Sequence, residues 1–147
     1  MMLVSACLLG INCKYNGKNN RNPDVLELSK EVQLIPVCPE QLGGLSTPRD
    51  KAEVEGGDGR EVLEGKARVI SEKGKEVTSC FVKGASETLR IAQLLGVKEA
   101  LLKARSPSCG TSYIYDGSFT GNLKEGQGVT AALLKKNGFR VLSEEEL

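Results

Sequence analysis

A chain of 147 residues with 20 basic and 19 acidic side chains carries a formal charge of +1, so it has no field to draw it to a nucleic-acid polymer or an anionic membrane surface. Its length suits a single domain over residues 1–147 with a sizeable core. No apolar run approaches the ~18 residues of a membrane span, and the apolar residues 1–6 are too short for a signal peptide, which predicts a soluble, cytoplasmic protein.

Residues 2–6 read as a short buried strand ending at Cys7-Leu8-Leu9-Gly10. A polar loop follows, then a short amphipathic helix with Asn22 or Asp24 near its start and Val25, Leu26, Leu28 and Val32 as apolar positions. Residues 32–37 predict a second strand, stopped by Cys38-Pro39. Residues 40–49 read as a loop in which the paired glycines Gly43-Gly44 would let backbone approach a ligand closely. Residues 53–70 hold two β-like pieces around Gly65, a hairpin-like excursion.

Thr78 is placed to cap a helix running to about Leu95, ended by Gly96, with Phe81, Ala85, Leu89 and Ala92 on its apolar face. Ala100-Leu101-Leu102 predicts a third strand leading into Ser106-Pro107-Ser108-Cys109-Gly110. After a Gly-rich loop over 116–128, residues 129–136 read as a last helix stopped by Gly138, and 139–142 as a final strand. Strands and helices alternating in this way predict an α/β fold, a mostly parallel sheet with helices on both faces. Right-handed crossovers bring the C-terminal strand ends to one side, where ligands bind at the point of reversed strand order.

Each of three predicted strands is followed by a cysteine: Cys7, Cys38 and Cys109. Five cysteines are too many for chance packing and an odd number for a disulfide framework, so metal binding or catalysis is the better expectation. Histidine is absent, which removes Ser–His–Asp triads, Cys–His pairs and His-containing zinc sites together. A soft-metal site must then be built from thiolates, although no C-x-x-C spacing occurs. Cys80 fits an ordinary packed position near a helix start, on a stripe with Gly84, Ile91 and Leu94.

Two site types remain open. Three thiolates with no fourth ligand suit an iron–sulfur cluster with one open iron, able to act on a substrate as a Lewis acid. Four thiolates, with Cys13 as the additional ligand, would make a closed centre in a non-catalytic metal-binding or electron-transfer domain. Glu40 lies two residues after Cys38, where burial and neighbouring thiolates would raise its pKa toward that of a proton donor. Ser106 and Ser108 can hydrogen-bond a substrate or serve the turn itself. Lys14, Lys18, Arg21 and Arg49 fall on the first two strand-end loops, where they can face a phosphate or simply solvent. A metal-free nucleotide-binding module is disfavoured, because no G-x-G-x-x-G follows the first strand.

Four motifs in order, Ser5-Ala6-Cys7-Leu8-Leu9-Gly10, Val37-Cys38-Pro39-Glu40 with Gly43-Gly44-Leu45 and Pro48-Arg49, Ser106-Pro107-Ser108-Cys109-Gly110, and Tyr115-Asp116-Gly117 with Phe119, resemble the thiouracil desulfidase family over residues 3–144. The resemblance implies a Rossmann-like fold and a [4Fe-4S] cluster held by Cys7, Cys38 and Cys109. It implies removal of sulfur from a small-molecule partner, a thiolated nucleobase or nucleotide, with water replacing the sulfur and sulfide released. Glu40, Ser106 and Ser108 then become the catalytic candidates, and Lys14, Tyr15 and Arg49 the substrate-binding ones. Lys14-Tyr15-Asn16-Gly17 departs from an expected Arg-Tyr-Asp-Gly; Asn cannot act as a base, and Lys lacks the fork of Arg.

Overall fold

The computed structural model describes residues 1–147. Four parallel strands form its main sheet in the order β2-β1-β5-β8, with β1 Met2–Ser5, β2 Leu34–Val37, β5 Glu99–Leu102 and β8 Arg140–Ser143. The register pairs Leu3 with Ile35 on one side and with Ala100 on the other, and Leu101 with Leu142. Side chains alternate across a strand, so the central strands bury both faces. Leu3, Ala100 and Leu102 pack with Ala92, Ala131 and Leu134. These last belong to helices α4 (Thr78–Leu95) and α5 (Val129–Lys136). Met2, Val4 and Leu101 face the other way, onto Leu8 and onto Val25 of α1 (Pro23–Leu28). Each fully buried Leu contributes about 1.5–3 kcal/mol of transfer free energy, so this two-sided burial is what fixes the sheet.

The predicted α/β sheet with helices on both faces is present, although α1, with 6 residues, is shorter than α5 with 8 and far shorter than α4 with 18. Asn22 caps α1, its side chain accepting from the backbone N–H groups of Asp24 and Val25. The chain leaves the helix after Leu28, yet Val32 still packs into the same core.

Three local expectations are corrected. Thr78 does not cap α4: Val77 occupies the cap position, and the Thr78 hydroxyl accepts instead from Val69 N–H at 2.9 Å, tying the helix to strand β4. The excursion is an antiparallel pair, β3 (Ala52–Glu55) with β4 (Arg68–Ser71). Its connection is a helix, α3 (Gly59–Leu63), closed by an Asp58–Glu61 capping box rather than a tight turn. The stretch read as a Gly-rich loop contains β7 (Leu123–Glu125), paired antiparallel with β6 (Tyr113–Tyr115).

The loop expected over 40–49 opens as a short helix, α2 (Pro39–Leu42). Gly43 serves helix packing here. A Cβ on Gly43 would overlap the carbonyl of Cys80, and one on Gly84 would overlap the carbonyl of Pro39. Two facing glycines thus let α2 sit directly against α4. That contact sets where the residues at the start of α2 point.

Candidate metal centre

Strands β2, β1 and β5 are neighbours in the sheet, and the chain runs from β1 to one side and returns to the other. Their C-terminal ends flank the point where strand order reverses. A cavity of about 430 Å³ opens there, lined by Cys7, Cys13, Cys38 and Cys109 together with Glu40, Arg49, Lys14, Tyr15 and Ser106. Lys18, Arg21, Asn16 and Ser108 do not line it.

Each cysteine is held by local structure. Cys7 sits on a 3-10 turn, Ala6–Leu9, closed by Gly10, and its carbonyl accepts from Gly10 and Asn20 N–H groups. Cys38 is the residue that starts α2, with Pro39 in the first helical position. Cys109 lies on a loop bolted to the start of α5: Thr130 N–H donates to the Ser108 carbonyl at 2.9 Å, and Val129 N–H to the Pro107 carbonyl at 2.9 Å.

The two serines divide. Ser106 Oγ accepts from the N–H groups of Ser108 at 3.1 Å and Cys109 at 3.0 Å, so it shapes the Cys109 turn while still bordering the cavity. Ser108 is buried, and its hydroxyl pairs with Thr130 Oγ1 at 2.9 Å. That hydroxyl faces the interior.

Cys13 occupies a position between Cys7 and Cys38. The Cys38 thiol donates to the Cys13 carbonyl at 3.8 Å, and the adjacent Cys13 thiol is the main influence that lowers Cys38 to about 6 and Cys7 to about 7, while Cys13 itself is pushed well up. The Arg49 charge adds to the lowering at Cys38, and the Lys103 charge to that at Cys7. Burial takes Cys109 the other way, up to about 12, partly offset by a hydrogen bond with Ser5. No group of three Cys, Asp or Glu side chains is arranged as a ready site for a single metal ion.

Glu40 is nearly enclosed, and burial raises its pKa against the opposing charge of Arg49. The Arg49 side chain is 7% exposed and its Nε lies 3.1 Å from Glu40 Oε1. Its other donors reach Thr47 Oγ1, the Ser46 carbonyl and, at 2.8 Å, the Cys13 carbonyl. Arg49 N–H also donates to the Tyr15 carbonyl at 2.8 Å. With four of its five donors occupied, Arg49 works as a brace joining Glu40 to the loop of Cys13 and Tyr15. Lys14 and Lys51 place their ammonium groups 5.6 and 5.4 Å from the Tyr15 ring centroid. Asn16, at the departure from the expected motif, accepts from Lys18 N–H at 3.0 Å and closes its own turn.

Residues 2–146 match the model of a family described as 2-thiouracil desulfurase. The chain belongs to the 2-thiouracil desulfurase family. Within it, a relative from Bacillus subtilis (strain 168), the uncharacterized protein YbbK, is 47% identical over 147 residues, covering 100% of this chain and 97% of that one. A solved structure of the [4Fe-4S]-dependent thiouracil desulfidase TudS superposes with a TM-score of 0.88 at 40% identity, covering 99% of this chain and 91% of that chain. The fold is therefore the one this family uses, and no helix is long and apolar enough to cross a membrane.

Several cavity residues carried no expected role in the sequence: Asn20, Lys51, Glu53, Glu72 and Lys103. Lys103 directly follows the last residue of β5, the same strand-end logic that marks the cysteines. Glu53 alternates with the apolar Ala52 and Val54 along β3, a pattern that puts it on the opposite face and reads as solvent-facing, so its burial at the cavity had no sequence signal.

Proposed function

We propose that this desulfurase-family chain converts the thiocarbonyl of thiouracil-type bases or their nucleotides to a carbonyl, releasing sulfide, with a [4Fe-4S] cluster held by Cys7, Cys38 and Cys109. The observation that carries the reading is the delivery of three thiols, from three adjacent strand ends, to one cavity. The donor set fits the group. Each iron of such a cluster takes its own thiolate, so the sulfurs need to surround a shared volume, and all three line the same cavity. Two of the three thiols are already poised to ionise near neutral pH, and a metal deprotonates the third outright. When bound, the cluster supplies one iron without a protein ligand, a Lewis acid for the substrate's sulfur.

The protein's own residues manage protons. Exchange of C=S for C=O consumes one water and yields one hydrogen sulfide, so both protons of the water must leave its oxygen and reach the departing sulfur. Glu40, buried in the cavity wall with a raised pKa, is the group suited to both transfers. Arg49 fixes its carboxylate. Ser106 keeps its hydroxyl proton free to donate into the cavity, because its oxygen is already the acceptor for two N–H groups; Ser108 acts by holding the loop. Lys14 and Tyr15 supply a cation and a ring at the cavity wall for the base or an attached phosphate.

Sulfide release from 2- or 4-thiouracil, or the matching nucleotide, tests this with anaerobically reconstituted protein. Activity that disappears in Cys109→Ala is the expected result. Iron-loaded wild type that releases no sulfide from any of these substrates contradicts it.

One observation favours a second reading, a non-catalytic metal-binding or electron-transfer domain: the Cys13 thiol lies against both Cys7 and Cys38. As a fourth ligand, Cys13 would close the centre. That reading requires Cys13→Ala to lose iron as completely as Cys7→Ala.

A further inference from the structure

The chain has three Phe and three Tyr, and three of these six, Tyr15, Tyr115 and Phe119, line the one cavity. They are not equivalent. Tyr15 has the ammonium groups of Lys14 and Lys51 over its ring, and Tyr115 stands on β6 at 38% exposure. Phe119 alone offers a wholly apolar ring that no cation engages.

Its backbone is unusual. Only two non-glycine residues have positive φ, Arg105 at 68° and Phe119 at 57°, and both line the cavity. A bulky residue adopts this conformation only where its surroundings impose it, and such residues gather at functional sites. Here the constraint is visible. The buried carboxylate of Glu53 accepts from Gly117 N–H at 3.0 Å and from Phe119 N–H at 3.1 Å through the same oxygen. Gly117, at φ 98°, presses the turn onto β3, where a Cβ would lie 2.9 Å from the Val54 carbonyl. Lys124 Nζ then pins the following strand to that carbonyl at 2.9 Å.

We propose that Phe119 is the stacking surface for the pyrimidine ring of the thiolated substrate, and that Glu53 is the positioning residue that holds Phe119 in place. The inference rests on the desulfidase reading above and adds what orients the base. Phe119 lines the same cavity as Cys7, Cys38 and Cys109, so a ring stacked on it shares the space that the thiols border. Stacking of this kind accepts any pyrimidine, so discrimination among bases falls to the polar groups at the ring edge.

Phe119→Leu keeps the apolar volume and removes the aromatic face. Loss of one base–aromatic stack weakens binding by roughly 5- to 160-fold. We expect the KM for thiouracil and the dissociation constant for uracil, measured by titration calorimetry on iron-loaded protein, to rise together by that factor. The iron content stays near wild type, and Phe119→Tyr restores both constants. Glu53→Ala should produce the same rise, with no further loss in the double variant, whereas Glu53→Gln retains an acceptor oxygen and stays near wild type. Wild type that turns over thiouracil while Phe119→Leu keeps its affinity for both ligands overturns the stacking role alone. Iron-loaded wild type inactive on every thiolated pyrimidine overturns the desulfidase reading instead. Additive losses in the double variant overturn the positioning role of Glu53.

Discussion

Glu40 and Arg49 face each other across 3.1 Å with little water around either. Burial raises the pKa of the Glu40 carboxyl against the opposing Arg49 charge, which favours proton exchange, and the arginine brace keeps its orientation fixed. Glu40→Gln preserves an acceptor for Arg49 Nε and removes the titrating proton. Turnover should therefore fall about 10²- to 10⁴-fold with iron content unchanged, checked by sulfide release beside iron analysis on one preparation. The thiols give a second residue-level test, in protein without the cluster. At pH 7, Cys7 and Cys38 should alkylate well before Cys109, because they are lowered to about 7 and 6 while Cys109 is raised to about 12. Peptide mass spectrometry reads the order, and early labelling of Cys109 would contradict the assigned environments. The cysteines and Glu40 were legible in the sequence because strand ends are marked by a switch from apolar runs to Pro and Gly. The buried orientation of Ser108 was not legible, since its partner Thr130 is 22 residues away and a Ser-Pro-Ser run reads equally well as a turn or a site.

At the scale of elements, the centre depends on helix docking far from the thiols. Helix α2 carries the Cys38–Glu40 corner and is only four residues long, too short to hold itself. Its position comes from the glycine contact with α4. Gly84→Ala would force the Pro39 carbonyl away, costing about 1–3 kcal/mol as an overpacked contact. Iron occupancy should fall with it, although no ligand is touched, and both are measurable by thermal unfolding and iron analysis. The long helix, the parallel strands and the last helix followed from periodicity and from Gly96 and Gly138 at their ends. The glycine pair escaped because Gly43 and Gly84 are distant in sequence, and a Gly-Gly step reads as loop until the facing helix is known. Helix α3 escaped for a similar reason: Gly56-Gly57-Asp58-Gly59 looks like a turn, while Asp58 is a helix cap.

For the whole molecule, Asp58 joins parts that the sheet does not. Its carboxylate accepts from Arg60 N–H at the start of α3 and from Gln127 N–H, at 2.9 Å, just before α5. Although burial works against the charged form, the backbone hydrogen bonds from Gln127 and Arg60 and the Arg60 charge hold its pKa below the usual carboxylate value. A depressed folded-state pKa contributes stability above the unfolded value of ~3.9, and that contribution is lost as pH falls through the folded value. Asp58→Asn keeps the cap but turns an amide donor toward Gln127 N–H. It should cost about 1–3 kcal/mol at neutral pH, with the gap to wild type closing in acid. Denaturant unfolding at pH 7 and pH 3 checks the sign.

The account as a whole turns on whether Cys7, Cys38 and Cys109 hold the cluster and Cys13 does not. Iron and acid-labile sulfide per chain, measured after anaerobic reconstitution of wild type and each cysteine-to-alanine variant, test this most directly. The account predicts roughly four of each in wild type and in Cys13→Ala, and marked loss in Cys7→Ala, Cys38→Ala and Cys109→Ala. Iron-free wild type, or a Cys109→Ala protein that keeps its full complement, would contradict it.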